Sequence, residues 1–298
     1  MKIKIILLVV LLLSTLLSGC AQEENAQIAA TTLPVYQFTV RLCENTGITV
    51  TRLINESVSC LHDYSLNVSQ VRALEAAEVV VISGAGLEDF LEDILPDHGK
   101  IIDSSKDIPL LGCEEHADHD HEHDHEHDHG HDHSTDAHIW LSPANASSMA
   151  ENICQELSVR YPEHKAQLQA NLVSLQSELA ILQAYGEEQL SGLSCRELVT
   201  FHDGFSYFAE AFGLTILHAI EEESGSEASA QELKQLTGIV REHNLPGVFT
   251  EVNGSASAAD IIAAETKTRV YTLDMAMAGD NYFDAMYHNI QTIKEAME

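Results

Sequence analysis

The chain has 298 residues, 47 acidic against 15 basic side chains and a formal net charge of −32, with 45% of its residues hydrophobic. That length can bury a sizeable core in one or two lobes. Charge of this sign excludes nucleic acid and anionic lipid surfaces as ready partners and favours cations.

At the start, Lys2 and Lys4 precede an apolar run from Ile5 to Leu13, and Leu17-Ser18-Gly19-Cys20 follows. The pattern predicts a secretory signal over residues 1–19, too short for an ordinary spanning helix. Its ending looks like a bacterial lipobox, which would make Cys20 the lipid-bearing first residue of the mature chain. The plainer alternative is a cleaved signal with a chance cysteine. Residues 20–27 read as a short polar tether.

From Gln27 onward, short apolar runs alternate with helical patterns. Strands are predicted over Ile28–Leu33, Ile48–Ile54, Val79–Ser83, Lys100–Asp103, Glu197–Phe201, Leu214–Ile220, Val248–Glu251 and Val270–Leu273. Helices are predicted over Val35–Glu44, Val68–Ala77, Leu87–Asp93, Ala144–Arg160, Glu163–Leu190, Gly204–Phe212, Ala228–His243, Ala256–Thr266 and Tyr282–Met297. This rhythm predicts an α/β protein of two lobes, each a mainly parallel four-stranded sheet flanked by helices. Residues 28–160 would form the N-terminal lobe and 191–298 the C-terminal lobe. Between them, 161–190 carries leucines at helical spacing (Leu168, Leu172, Leu175, Leu179, Leu182) without an early Gly or Pro. Such a helix would span about 40 Å and serve as the connecting strut; the alternative is an ordinary surface helix of one large domain.

The N-terminal lobe includes an unusual loop, 114–136. Nine of the eighteen residues from His116 to His133 are histidine: His116, His119, His121, His123, His125, His127, His129, His131 and His133. The spacers are mostly Asp or Glu, and no packed core could hold them. Imidazole is a leading ligand for zinc and suits copper and nickel, while carboxylates add charge and weaker coordination. Low complexity argues against one fixed site and for an auxiliary collector of divalent cations. A solvated acidic loop with incidental histidines is the bland alternative. A metallohydrolase pattern would need Asp where this register places His.

Six cysteines less Cys20 leave Cys43, Cys60, Cys113, Cys154 and Cys195. Disulfides are permitted outside the cytoplasm, an odd number leaves one thiol over, and the pairs favoured here are Cys43–Cys60 and Cys154–Cys195. Cys113, beside the tract, would be a free thiol or an occasional soft ligand.

Eight histidines lie outside the tract, and three sit at or just beyond predicted strand ends, where open α/β sheets place ligands. His62 lies in a polar loop beside Asp63 and Tyr64, before a helix capped by Asn67 or Ser69. His138 opens a His-Ile-Trp-Leu run that ends at Ser142-Pro143, a helix start; Trp140 reads as core. His202 follows a strand directly, with Asp203 as an orienting partner or cap. His164, His243 and His288 read as surface residues, and His218 as a buried, hydrogen-bonded one.

These segments carry a resemblance over roughly Gln27 to Ala296: His62-Asp-Tyr-Ser-Leu, the stretch from Ala73 to Phe90, Asp136-Ala-His-Ile-Trp-Leu-Ser-Pro, Phe201-His-Asp-Gly-Phe, the acidic run from Ala219, and Leu273-Asp-Met-Ala-Met. The chain resembles the metal-binding lipoproteins of ABC importers, the cluster of zinc-uptake binding proteins and their manganese-specific relatives. That resemblance implies two lobes joined by a long helix, with a metal held between them by His62, His138 and His202. Manganese members typically have Glu where His202 stands, so the resemblance points to Zn²⁺ as the transported ligand, with Mn²⁺ less expected. The family's acidic ligand maps onto Asp274; water or a tract histidine stays open as the fourth donor. Implied partners are an ABC permease and its ATPase, with the chain a monomer tethered to the cell membrane outside the cytoplasm. Metal binding would displace protons from imidazoles, so affinity should fall below about pH 6.5.

Two other functions fit parts of the sequence. Three histidines with an open position also describe catalytic zinc, but there is no H-E-x-x-H helix, no G-x-S-x-G elbow and no phosphate loop, so an enzyme is not expected. A cell-surface protein that buffers metal or adheres, with no transporter, is the principal rival.

Overall fold

The computed structural model describes residues 26–56, 61, 64–91, 94, 98–112, 135–221, 228–254, 256–277 and 279–298. The signal, Cys20, Cys60, His62, Asp63, Cys113 and all nine tract histidines lie outside the described residues.

The N-terminal sheet is built from short apolar strands whose neighbours are brought alongside by helical crossovers. Strand β1 (Ile28–Ala30) is buried throughout and feeds α1 (Leu33–Leu42), where Pro34 occupies the first turn, a position that needs no main-chain donor. That proline ends the strand earlier than its apolar run suggests. Strand β2 (Val50–Arg52) follows, then α2 (Val68–Ala76), whose N-terminus is closed by a reciprocal capping box between Asn67 and Gln70. Strands β3 (Val79–Ile82) and β4 (Ile101–Asp103) complete a parallel sheet of order β2-β1-β3-β4.

The helix expected over Leu87–Asp93 is a single 3₁₀ turn, Asp89–Leu91, within its described part. The reason is Glu88. Its carboxylate turns back to accept from Thr31 Oγ1 at 2.6 Å, Ser83 N at 2.8 Å and Gly84 N at 2.9 Å, tying the segment to the ends of β1 and β3.

After the tract, α3 (Pro143–Arg160) starts at Ser142, which caps Asn145 N, with Pro143 in the first turn. Helix α4 (Lys165–Leu190) has 26 residues and is about 39 Å long. It packs on both lobes. Asn171 Nδ2 caps α1 by donating to Leu42 O and Glu44 O, and Glu178 pairs with Arg41. Farther along, Gln183 donates to Ala211 O, and Gln189 accepts from Lys294 near the C-terminus.

The C-terminal lobe repeats the pattern with β5 (Glu197–His202), α5 (Ser206–Phe212), β6 (Thr215–Glu221), α6 (Ala230–Glu242), β7 (Gly247–Glu251), α7 (Ser257–Thr266), β8 (Arg269–Leu273) and α8 (Tyr282–Met297). All pairings are parallel, but the four strands form two ladders, β5-β6 and β7-β8, and a register shift at Leu198/Val199 interrupts the first. Strands β5 and β7 lie against each other. One apolar core runs from the N-terminal sheet through α3 and α4 to Phe205, Phe208, Tyr282 and Met286, and a second fills the space among β5, β7, α6 and α7.

The expected cysteine pairs are corrected by this packing. Cys43, Cys154 and Cys195 are free thiols. Cys43 ends α1 and Cys154 lies on α3, both buried in the N-terminal core and close enough that ionising one disfavours ionising the other, whereas Cys195 precedes β5 in the other lobe. His218 is half-buried at the rim of a cavity, not enclosed as its apolar neighbours suggest.

Candidate metal centre

In a parallel sheet every strand delivers its C-terminal end to the same side, and β5 ends there in His202. His138 stands immediately before the 3₁₀ turn Ile139–Leu141 and is 2% exposed. His202 is the last residue of β5 and is 3% exposed. Their ring centroids lie 5.2 Å apart with planes at 85°. Two of the three histidines expected to share a site are therefore neighbours; His62 lies outside the described residues, between buried Leu61 and Tyr64.

Asp136 orients His138. One carboxylate oxygen accepts from the His138 main-chain N–H and from Nδ1, both at 2.8 Å. A proton held on Nδ1 leaves the lone pair on Nε2, which is buried and has no hydrogen-bond partner among the described residues. An imidazole so arranged is ready to ligate a cation, and a carboxylate behind it raises its basicity. Burial pushes the Asp136 carboxyl up, and the bonds and charge of His138 outweigh it, holding the group below the usual carboxylate range. Sequence reasoning missed Asp136, although an Asp two residues before a histidine is the spacing at which a side chain can cap the N–H and meet the ring.

The expected fourth donor, Asp274, follows β8 directly. Its Oδ1 accepts from Ala276 N at 2.8 Å, and its own N and O are gripped by the Asn289 side chain at 2.8 and 2.7 Å. Burial raises the Asp274 carboxyl above its ordinary value, opposed by Ala276 N and the charge of His288. Met275 brings this corner to His138: a Cβ placed on Gly204 would lie 2.6 Å from Met275 Cε and 2.9 Å from His138 Nδ1. Only glycine fits there. Trp140 is fully buried, as its apolar neighbours predict, and its Nε1 donates to Met275 O at 2.8 Å.

The Tyr64 hydroxyl donates to Glu56 and accepts from Gln70. Asp203 lines a cavity of about 310 Å³ together with Glu210, His218 and Gly112. Glu251, unremarked in the sequence, is the last residue of β7 and is 4% exposed.

The residues that flank the tract in sequence meet beside this centre. Gly112 and Thr135 form an antiparallel bridge, Asp136 N donates to Leu111 O at 2.9 Å, and the Tyr207 hydroxyl accepts from Leu111 N and donates to Asp136 O. Residues 113–134 are thus bracketed by a stem that ends two positions before His138.

Fold and centre together describe a two-lobed α/β protein with two neighbouring buried imidazoles, His138 and His202. A family profile described as "Zinc-uptake complex component A periplasmic" matches residues 28–296, and the chain belongs to that family. Among similar proteins is the zinc-binding lipoprotein AdcA of Streptococcus pneumoniae, 29% identical over 99% of this chain and 61% of its own length. This chain therefore spans about three-fifths of that relative. The high-affinity zinc uptake system protein ZnuA of Haemophilus ducreyi is 32% identical over 76% of this chain and 78% of its own. A crystal structure of ZnuA superposes with a TM-score of 0.78 at 31% identity, covering 92% of this chain and all of that one. A ZnuA deletion mutant with zinc bound superposes at 0.76 and 30% identity, covering 92% of this chain and 98% of that one.

Proposed function

We propose that this protein is an extracytoplasmic zinc receptor that delivers Zn²⁺ to an ABC permease and its ATPase. Its cargo is held by His62, His138 and His202, with Asp274 as the fourth donor. The observation that carries the reading is the buried His138 Nε2, its lone pair turned out by Asp136 and its ring 5.2 Å from that of His202. Imidazole donors suit zinc better than they suit manganese, which prefers oxygen. In this reading 28–160 and 191–298 act as the two lobes, 161–190 links them, Cys20 carries the lipid anchor and the receptor works as a monomer. Gly112 and Thr135, which flank the histidine tract in sequence, pair near the centre, and in this reading the tract's weak, plural donors collect ions for a tighter site.

The test is a competitive zinc and manganese titration of the soluble chain from Gln22 beside a triple variant, His62→Ala, His138→Ala and His202→Ala. One tight zinc site that vanishes in the triple variant, leaving weak tract binding, supports the receptor. Tight binding that survives it would put the metal in the tract and make this protein a buffer.

A further inference from the structure

The chain changes its allegiance immediately after Asp274. Asp274 itself is rooted in the C-terminal lobe, both of its main-chain polar groups clamped by Asn289 of α8, a side chain with no exposed surface. From the next residue on, the main-chain carbonyls are taken by side chains of the N-terminal lobe. Trp140 Nε1 donates to Met275 O at 2.8 Å, Arg52 Nη2 to Met277 O at 2.7 Å, Arg52 Nη1 to Gly279 O at 2.8 Å, and Gln37 Nε2 to Asp280 O. Gln37 Oε1 then accepts from Tyr282 N, and the Tyr282 hydroxyl donates to Trp140 O. Between the two anchorages Ala276 takes a left-handed φ of 56°, which an L residue keeps only when its surroundings impose it.

The geometry points to Arg52 and Gln37 as positioning residues for the metal centre: by holding the strap after Asp274 against the N-terminal lobe, they place the Asp274 carboxylate and set how fast bound metal leaves. The inference rests on the zinc-receptor reading, with Asp274 as a donor. Its physical basis is the contrast of anchors. Asn289 ties the donor's backbone to one lobe, while a half-buried guanidinium, whose charge strengthens each of its bonds, ties the following residues to the other. Any separation of the lobes must therefore be absorbed at the Asp274–Ala276 turn, whose N–H is bonded to that carboxylate. A guanidinium has no lone pair to give a cation, so Arg52 is not itself a donor to the metal, and its planar fork is the side chain suited to bridging two carbonyls.

The experiment uses the full chain in mild detergent. Zinc release into excess chromogenic chelator is followed by stopped flow for wild type, Arg52→Met, Arg52→Lys and Gln37→Leu, each also in an Asp274→Ala background. Amide exchange over 275–281 is measured on the metal-free proteins. Arg52→Met should still bind one tight zinc but release it about tenfold faster or more, the size expected for an outer-shell partner. Arg52→Lys should fall between it and wild type. Exchange over 275–281 should rise, and in the Asp274→Ala background the Arg52 effect on release should disappear. Wild-type release from Arg52→Met and Gln37→Leu, or an effect of equal size without Asp274, overturns the inference while leaving the receptor intact. A wild-type chain with no tight zinc overturns the receptor and this inference together. Gln37→Leu decides the matter if Arg52→Met does not fold.

Discussion

Asp136 Oδ1 accepts two hydrogen bonds from His138, from its main-chain N–H and from its ring Nδ1, each at 2.8 Å. Both residues are buried, so neither bond competes with bulk water. An amide in place of the carboxylate would offer an NH₂ as readily as a carbonyl to Nδ1, releasing the ring to its other tautomer. Asp136→Asn should therefore lower zinc affinity about ten- to a hundredfold with little change in fold. Wild-type affinity by competition titration would show that the pair does not orient the ligand.

Gly204 and Gly238 make a contrasting pair. A methyl group on Gly204 meets Met275 Cε, a flexible end that can move, and the His138 ring, which Asp136 holds still. Gly204→Ala should cost about 1–3 kcal/mol and weaken zinc binding by shifting the ring. A methyl on exposed Gly238, within α6, meets nothing within 4 Å. Gly238→Ala should raise stability by about 0.5–1 kcal/mol through helix propensity alone. Urea midpoints for the two variants check both signs.

Burial pushes the Glu88 carboxyl up to about 7, against the three donors from Thr31, Ser83 and Gly84 that favour its ionised form. A group whose folded value lies above its unfolded value of 4.5 stabilises the fold when protonated. That contribution is full below about pH 4.5 and is lost as pH rises through about 7, a change on the order of 3 kcal/mol. Wild-type stability relative to Glu88→Gln should fall between pH 5 and pH 8. Parallel stability curves for the two proteins would remove Glu88 as the titrating group.

Thiol reactivity should follow burial. Burial first, then the neighbouring Cys154, pushes the Cys43 thiol up to about 12, and burial raises Cys154 as well. Cys195 is half-buried on the rim of an open cavity. Alkylation of the native protein at pH 7.5, mapped by peptide mass spectrometry, should reach Cys195 about a hundredfold faster than Cys43 or Cys154. Equal rates at Cys43 and Cys195 would contradict the packing around α1 and α3.

The chain's local signals were legible wherever a local cause decides the outcome. Parallel strands read as short apolar runs because both faces are covered, and helix starts read at Asn67 and Ser142-Pro143 because an orphan N–H needs a nearby acceptor. His202 could be singled out because it ends a strand, on the side of a parallel sheet where ligands generally lie, whereas His138 precedes a 3₁₀ turn and was expected as a ligand through the resemblance. The extra length given to the first strand, by contrast, came from reading Leu33 by hydrophobicity alone when Pro34 had already turned the chain into α1.

The sequence by itself determined the α/β class, the two groups of four strands and the long helix over Lys165–Leu190, since each follows from periodicity or capping within a few residues. Only the tertiary structure decided that Glu88 would fold back and dissolve a helix, that Cys154 would lie near Cys43 and not Cys195, and that Arg52 and Gln37 would grip carbonyls 225 to 243 residues away. Those outcomes depend on which surfaces meet when the lobes pack along α4. Residue types specify what donors and acceptors are on offer, and the packing of distant elements selects which of them come within 3 Å.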